Sequence, residues 1–320
     1  MKDIHKNSPN LFSFATSELS QDAFLCWLME WADPSYAFED SLLHDTSKEF
    51  IASIFNSHDL AAVEINSIDI IRQFKKLDIL VIINDEYAIM IEDKTFTNDH
   101  SNQLQRYKDD IKKFFPHLKQ LPVYFKIADQ SHYISCETAG YIPYSRESML
   151  KVLQNAIDQE CTNAILLDYY RHLEKLDKEI KSYMTKPVTE WNSWSWQGFY
   201  KRLQEEGIKG NWGEVSNANG GFWGFWFKQD PNKRHYIQLE EHRLCVKVVA
   251  AEGEDRRRLR SESMKEILEL SQQKGLPLIK PPRLGNGATM TVAVMDSYIV
   301  TEDGTLKLDE TVERLKKIDL

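Results

Sequence analysis

The chain is poor in the residues that would set it apart from ordinary globular proteins. Its 320 residues hold four cysteines, Cys26, Cys136, Cys161 and Cys245. They are too scattered for a Cys-x-x-Cys pair or a Cys/His zinc spacing, which excludes a disulfide scaffold and points to reduced, mostly buried thiols. No apolar run is long enough to span a bilayer and Met1-Lys2-Asp3-Ile4 opens no signal peptide, so a soluble, cytoplasmic protein with no membrane partner is expected. Repeats and low-complexity tracts are absent too. Positive charge is also scarce: 40 Lys and Arg stand against 49 Asp and Glu, a net charge of −9. Binding to phosphates ordinarily leaves a basic footprint. A nucleic acid would therefore need a local strip, for which Lys75-Lys76, Lys94, Arg106 with Lys108, and Lys112-Lys113 are candidates, although each run also suits a solvated face. With 42% hydrophobic residues the chain has material for two domains with cores of their own.

The most informative stretch is Lys75 to Lys94, KKLDILVIINDEYAIMIEDK. Asp78 to Ile83 and Tyr87 to Ile91 are rich in β-branched and large apolar residues and flank the turn-forming Asn84-Asp85, which predicts a hairpin. Side chains alternate along a strand, so Glu92 and Lys94 project from one side and Asp93 from the other. In an antiparallel pair the head of the first strand lies beside the tail of the second, which brings Asp78 to Glu92. Two ionised carboxylates held close repel unless a proton or a cation lies between them. Oxygen ligands of this kind suit a hard, octahedral ion such as magnesium, and a neighbouring lysine adds positive charge for an attacking water or a developing phosphorane. Acid, acid and lysine together suit phosphodiester hydrolysis; the bland reading is a solvated hairpin edge.

This pattern resembles the PD-(D/E)XK nuclease superfamily, in particular bacterial branches with segments similar to SELSQDAFLCWL at Ser17 to Leu28 and NQLQRY at Asn102 to Tyr107. The resemblance implies an α/β, restriction-endonuclease-like αβββαβ core with a mixed central sheet. It also implies an acid from the first helix, here Glu18, and a glutamine on the helix after the motif, here Gln103. Leu77 stands where the family name has proline, and Ser20-Gln21-Asp22 stands where relatives often carry a His-Ser pair. Glu18 also follows Ser17, a plausible N-cap, and suits a helix end as an acid. Gln103 is expected to contact phosphate or water; Tyr107, on the same helix face, is expected in the core.

Further along, Val123 to Ile127 and Tyr133 to Cys136 read as two more strands, and Arg146 to Ile157 and Ala164 to Tyr183 as helices. Thr185-Lys186-Pro187 ends the helical pattern, so residues 1–186 are expected to form the nuclease-like domain and 187–320 an α+β domain for recognition or partner binding. That second part holds six of the eight tryptophans and a tight loop at Asn217 to Gly221. Strands are predicted at Phe222 to Phe227, Tyr236 to Leu239, Leu244 to Val249 and near Ala288 to Val294, and helices at Asp255 to Gln273 and near Leu308 to Ile318. The tryptophans suit stacking on unpaired bases or a packed core. Arg256, Arg257, Arg258 and Arg260 suit a phosphate or their acidic neighbours.

The resemblance implies a magnesium-dependent DNA endonuclease, with manganese able to substitute, in a bacterial setting such as defence against foreign DNA. Asp78, Glu92 and Glu18 would be the metal ligands, Lys94 and Gln103 the remaining site residues, and DNA the partner, with a protein partner for the second domain and a homodimer left open. The alternative is a catalytically silent nuclease fold that binds nucleic acid or protein as an adaptor.

Overall fold

The computed structural model describes residues 9–95, 102–217, 220–229 and 233–320. The chain divides into two compact units, Met1–Asp129 with Tyr133–Asp177, and Gln130–His132 with Lys178–Leu320.

In the first unit α1 (Glu18–Glu30) and α2 (Ser41–Ser57) precede an antiparallel run β1 (Ile68–Phe74), β2 (Leu77–Ile83) and β3 (Tyr87–Lys94). Then come α3 (Gln103–Phe114), β4 (Lys119–Lys126), α4 (Ile134–Thr138), β5 (Ile142–Ser145), α5 (Arg146–Asp158) and α6 (Ala164–Ile180). β4 lies parallel to β3 and β5 parallel to β4, which makes a mixed five-stranded sheet in the order β1-β2-β3-β4-β5. Both faces of β2 and β3 are covered, and for that reason the two strands are apolar runs. Ile79, Val81, Ile89 and Ile91 join the core that includes Phe24, Leu28 and Phe50, while Leu80, Ile82 and Met90 pack with Leu104, Tyr107 and Ile111 of α3. Asn84 and Asp85 both take positive φ in the hairpin turn, and the Asn84 amide ties that turn to Glu64, Asn66 and Ser67.

One expected strand is a helix instead. Tyr133 to Cys136 starts α4, where Cys136 Sγ donates to Tyr133 O at 3.1 Å and Gly140, at φ +77°, lies just past the helix end. A glycine in that conformation ends a helical turn. The strand that completes the sheet is β5, whose Ile142 pairs with Val123.

The second unit is built on an antiparallel meander of β6 (Gly210–Val215), β7 (Phe222–Phe227), β8 (His235–Glu240), β9 (Arg243–Val249) and β10 (Thr289–Asp296), accompanied by α7 (Ser193–Glu205), α8 (Arg256–Gln273) and α9 (Leu308–Lys317). A small two-stranded ribbon pairs Thr301–Glu302 with Thr305–Leu306. α7 and β6 were not expected from the sequence, and Ala218 and Asn219 of the expected tight loop lie outside the described residues. Trp191, Trp196 and Trp212 are buried in the core with Phe199, Phe225 and Leu244, which is where large aromatics are most often found. Arg258 pairs with Glu262 at 2.7 Å, and Arg260 donates to Gly285 O. All four cysteines are free thiols, and Cys136, Cys161 and Cys245 are buried.

The division between the units falls inside α6, ahead of the expected boundary at Pro187, because the helical run continues into the second unit. Ser182 Oγ lies 2.8 Å from Ser195 Oγ, Tyr183 belongs to the second core, and the Ile180 carbonyl approaches Gly198 so closely that an added Cβ would meet it at 2.0 Å. Only glycine fits there.

Candidate active site

The register that pairs Ile79 with Ile91 sets Asp78 opposite Glu92 at one end of the sheet. Asp78 Oδ2 accepts from the Asp93 backbone N–H at 2.9 Å and Oδ1 from the Gln73 amide at 3.3 Å, so this carboxylate caps the end of the neighbouring strand. Lys94, the last residue of β3, turns its ammonium back over the strand. Its Nζ lies 2.7 Å from Glu92 Oε1, 4.0 Å from Asp78 Oδ2 and 4.0 Å from Glu18 Oε2. Gln103, the first residue of α3, donates its amide to Glu92 Oε1 at 2.6 Å.

Glu18 is the acid in the first turn of α1. Its Oε1 accepts from the Thr95 backbone N–H at 3.2 Å and from Thr95 Oγ1 at 3.4 Å, reaching across to the residue after β3. The structure therefore brings Asp78, Glu92, Lys94, Glu18 and Gln103 into one cluster. Tyr107 is buried in the core beneath α3.

Burial governs the electrostatics. Glu92 is 2% exposed, and burial followed by the Asp78 charge pushes its carboxyl up to about 8, against the opposing pull of Lys94. Lys94 is held above its ordinary value: burial works against its charge, but Glu92, Asp78 and Glu18 together outweigh it.

Behind this cluster lies a second polar layer that sequence reasoning missed. Asp93, on the opposite face of β3, is fully buried and accepts from the Gln21 amide, whose Oε1 accepts in turn from Tyr169 Oη at 3.2 Å. Asp22 lies one helical turn after Glu18 and is buried as well. Burial and then Asp78 raise it to about 7, while burial and then Asp22 raise Asp93 far above the carboxylate range. Lys126, the last residue of β4, pairs in register with Lys94 and is itself buried, which lowers it to about 8. The alternation that turned Asp93 away from Glu92 was readable, as was the four-residue spacing from Glu18 to Asp22; that α1 presses the two against each other was not.

A divalent cation fits the residues present. Glu92 Oε2 is buried and accepts no hydrogen bond from the described residues, and Asp78 adds like charge beside it. An uncompensated buried carboxylate oxygen calls for a proton or a cation. Among the described residues no group of three or more His, Cys, Asp or Glu forms a ready metal cage. Magnesium needs none, being held typically by one or two carboxylates with waters and substrate phosphates.

A sequence profile described as the PD-(D/E)XK nuclease superfamily matches residues 9–194. No curated protein and no solved structure matches the chain. The matched span is more than half of the 320 residues and holds the whole mixed sheet and every side chain of the cluster, and the chain belongs to the PD-(D/E)XK nuclease superfamily.

Proposed function

We propose that the protein is a magnesium-dependent deoxyribonuclease, with manganese able to substitute, in which Asp78 and Glu92 bind the ion. Glu18 helps to place a water or a second ion, and Gln103 orients Glu92. The observation that carries this reading is the buried Glu92 Oε2, which accepts no hydrogen bond from the described residues and stands beside a second carboxylate, with Lys94 drawn between the acids in the place a cation would take. A bound divalent ion would polarise the phosphoryl group and lower the pKa of a coordinated water.

Lys94 has a distinct part. It serves as a positive charge, 2.7 Å from Glu92 and 4.0 Å from Asp78, that orients the attacking water and offsets charge growing on the phosphoryl oxygens. Gln103 donates to Glu92 Oε1, so Oε2 would be the oxygen left to hold the ion. The family suggests a bacterial setting and defence against foreign DNA as the biological role.

Isothermal titration with magnesium and manganese separates ligand from charge. Asp78→Asn or Glu92→Gln removes a negative charge from the ion's first shell and should abolish or greatly weaken binding. Lys94→Ala removes a competing cation and should leave binding intact or tighten it. If neither Asp78→Asn nor Glu92→Gln changes metal affinity, the assigned ligands are wrong.

A further inference from the structure

The β1–β2 connection is an unusual place for two lysines. Phe74 and Leu77 form the last pair of the ladder, so Lys75 and Lys76 are the two central residues of the turn, and both take positive φ, +53° and +73°. A two-residue hairpin turn with both φ values positive strongly favours Asn-Gly or similar pairs, because side chains with a Cβ are strained there. Gln73 also sits at φ +54°, and its amide donates to Asp78 Oδ1 at 3.3 Å. The strained turn is thereby fastened to a carboxylate of the candidate active site. Backbone strain that persists in a folded protein clusters at functional positions.

The surroundings point to an anion. Lys75 Nζ lies 4.8 Å from the ring centre of Phe114, and Lys113 Nζ lies 5.6 Å from the same ring. Phe114 is 47% exposed and packs edge-on against Phe74. Among the described residues, no salt bridge engages Lys75, Lys76, Lys112 or Lys113. The helix dipole accounts for Lys112 and Lys113, which end α3. It does not account for Lys75 and Lys76, which occupy a turn that other residues would fill at less cost. On a chain of net charge −9, these are unpaired cations gathered beside the acidic sheet end.

We propose that the Lys75–Lys76 turn, together with Lys113 and Phe114, is a docking strip for the phosphate backbone of a nucleic-acid substrate, holding the strand to one side of Asp78. The strip rests on the nuclease reading and adds to it the flank over which the substrate runs. Lys75 and Lys76 each offset one phosphate, and the Phe114 ring keeps the lysine stems extended toward it.

The turn's own geometry supplies the test. Lys75→Asn with Lys76→Gly installs the pair that the backbone prefers and removes both charges, whereas Lys75→Arg with Lys76→Arg keeps them. Binding of a labelled short DNA duplex to the full chain is followed by anisotropy across a salt series, in calcium and in chelator, beside thermal unfolding. The Asn-Gly variant should unfold roughly 2–4 °C higher. It should bind roughly tenfold more weakly per lost contact at 0.1 M salt, with its log-log salt slope shallower by about 1 to 2. The Arg-Arg variant should bind as the parent does. An Asn-Gly variant that binds with the parent's affinity and slope overturns the strip and leaves the nuclease reading standing. A parent that binds no nucleic acid in calcium or in chelator overturns both.

Discussion

Glu92→Gln should become more favourable to folding as pH rises, and the size of the swing follows from the burial of one carboxyl. In the folded chain Glu92 is 2% exposed and its pKa rises from 4.5 to about 8, chiefly through burial and then through Asp78. At about 1.4 kcal/mol per pKa unit, that rise corresponds to about 5 kcal/mol. The sign is fixed by which state gives up its proton first. Below pH 4.5 both states hold the proton; between 4.5 and about 8 the unfolded chain releases it while the folded chain keeps it, so stability is lost as pH rises across that window. Glutamine is of similar shape, can still accept from Gln103 and Lys94, and has no proton to release. Asp22 and Asp93 are raised by burial in the same direction, but both are present in parent and variant and cancel in the difference. Urea unfolding of the two proteins in chelator, from about pH 4 to about pH 9, should show the stability difference moving toward the variant by up to about 5 kcal/mol. Parallel stability curves would mean that Glu92 ionises as an ordinary exposed acid, and the buried, cation-seeking oxygen would lose its basis.

Two further outcomes follow from the packing. Gly198→Ala would press a methyl group to 2.0 Å from the Ile180 carbonyl, so thermal unfolding should show a loss of about 1–3 kcal/mol or more, as overpacking of a closed contact does. A fragment ending at Lys186 contains both faces of the mixed sheet and their covering helices, and should fold cooperatively and keep the parent's metal affinity by titration; a molten fragment would show that the first unit does not fold by itself.

The hairpin was readable because β2 and β3 are apolar on both faces and their turn carries Asn-Asp, two residues that tolerate the positive φ they adopt. The meeting of Asp78, Glu92 and Lys94 followed from period-two alternation together with the antiparallel pairing of the hairpin strands. Glu18 and Gln103 rested on the family resemblance, since they come from helices whose placement over the sheet end no local pattern encodes. The layer of Gln21, Asp22, Asp93 and Lys126 stayed hidden for the same reason: each reads locally as a polar residue near a helix start or strand end, and only the docking of α1 against β3 and the alignment of β4 bury them. α4 was misread because Tyr133 to Cys136 is apolar enough for a strand, while Gly140, which ends the helix, lies outside that window. The aromatic residues of α7 masked its helical period, with Trp196, Phe199, Tyr200 and Leu203 forming the buried stripe.

The central claim is metal-dependent hydrolysis of DNA at the Asp78–Glu92–Lys94 cluster, and the most direct measurement is cleavage of end-labelled DNA by the parent and by Lys94→Ala, with and without magnesium or manganese. The parent should cut only with a divalent ion, and Lys94→Ala should cut roughly two to four orders of magnitude more slowly while still binding the metal. A parent that cuts no DNA under any of these conditions, or a Lys94→Ala protein that cuts as fast as the parent, would contradict it.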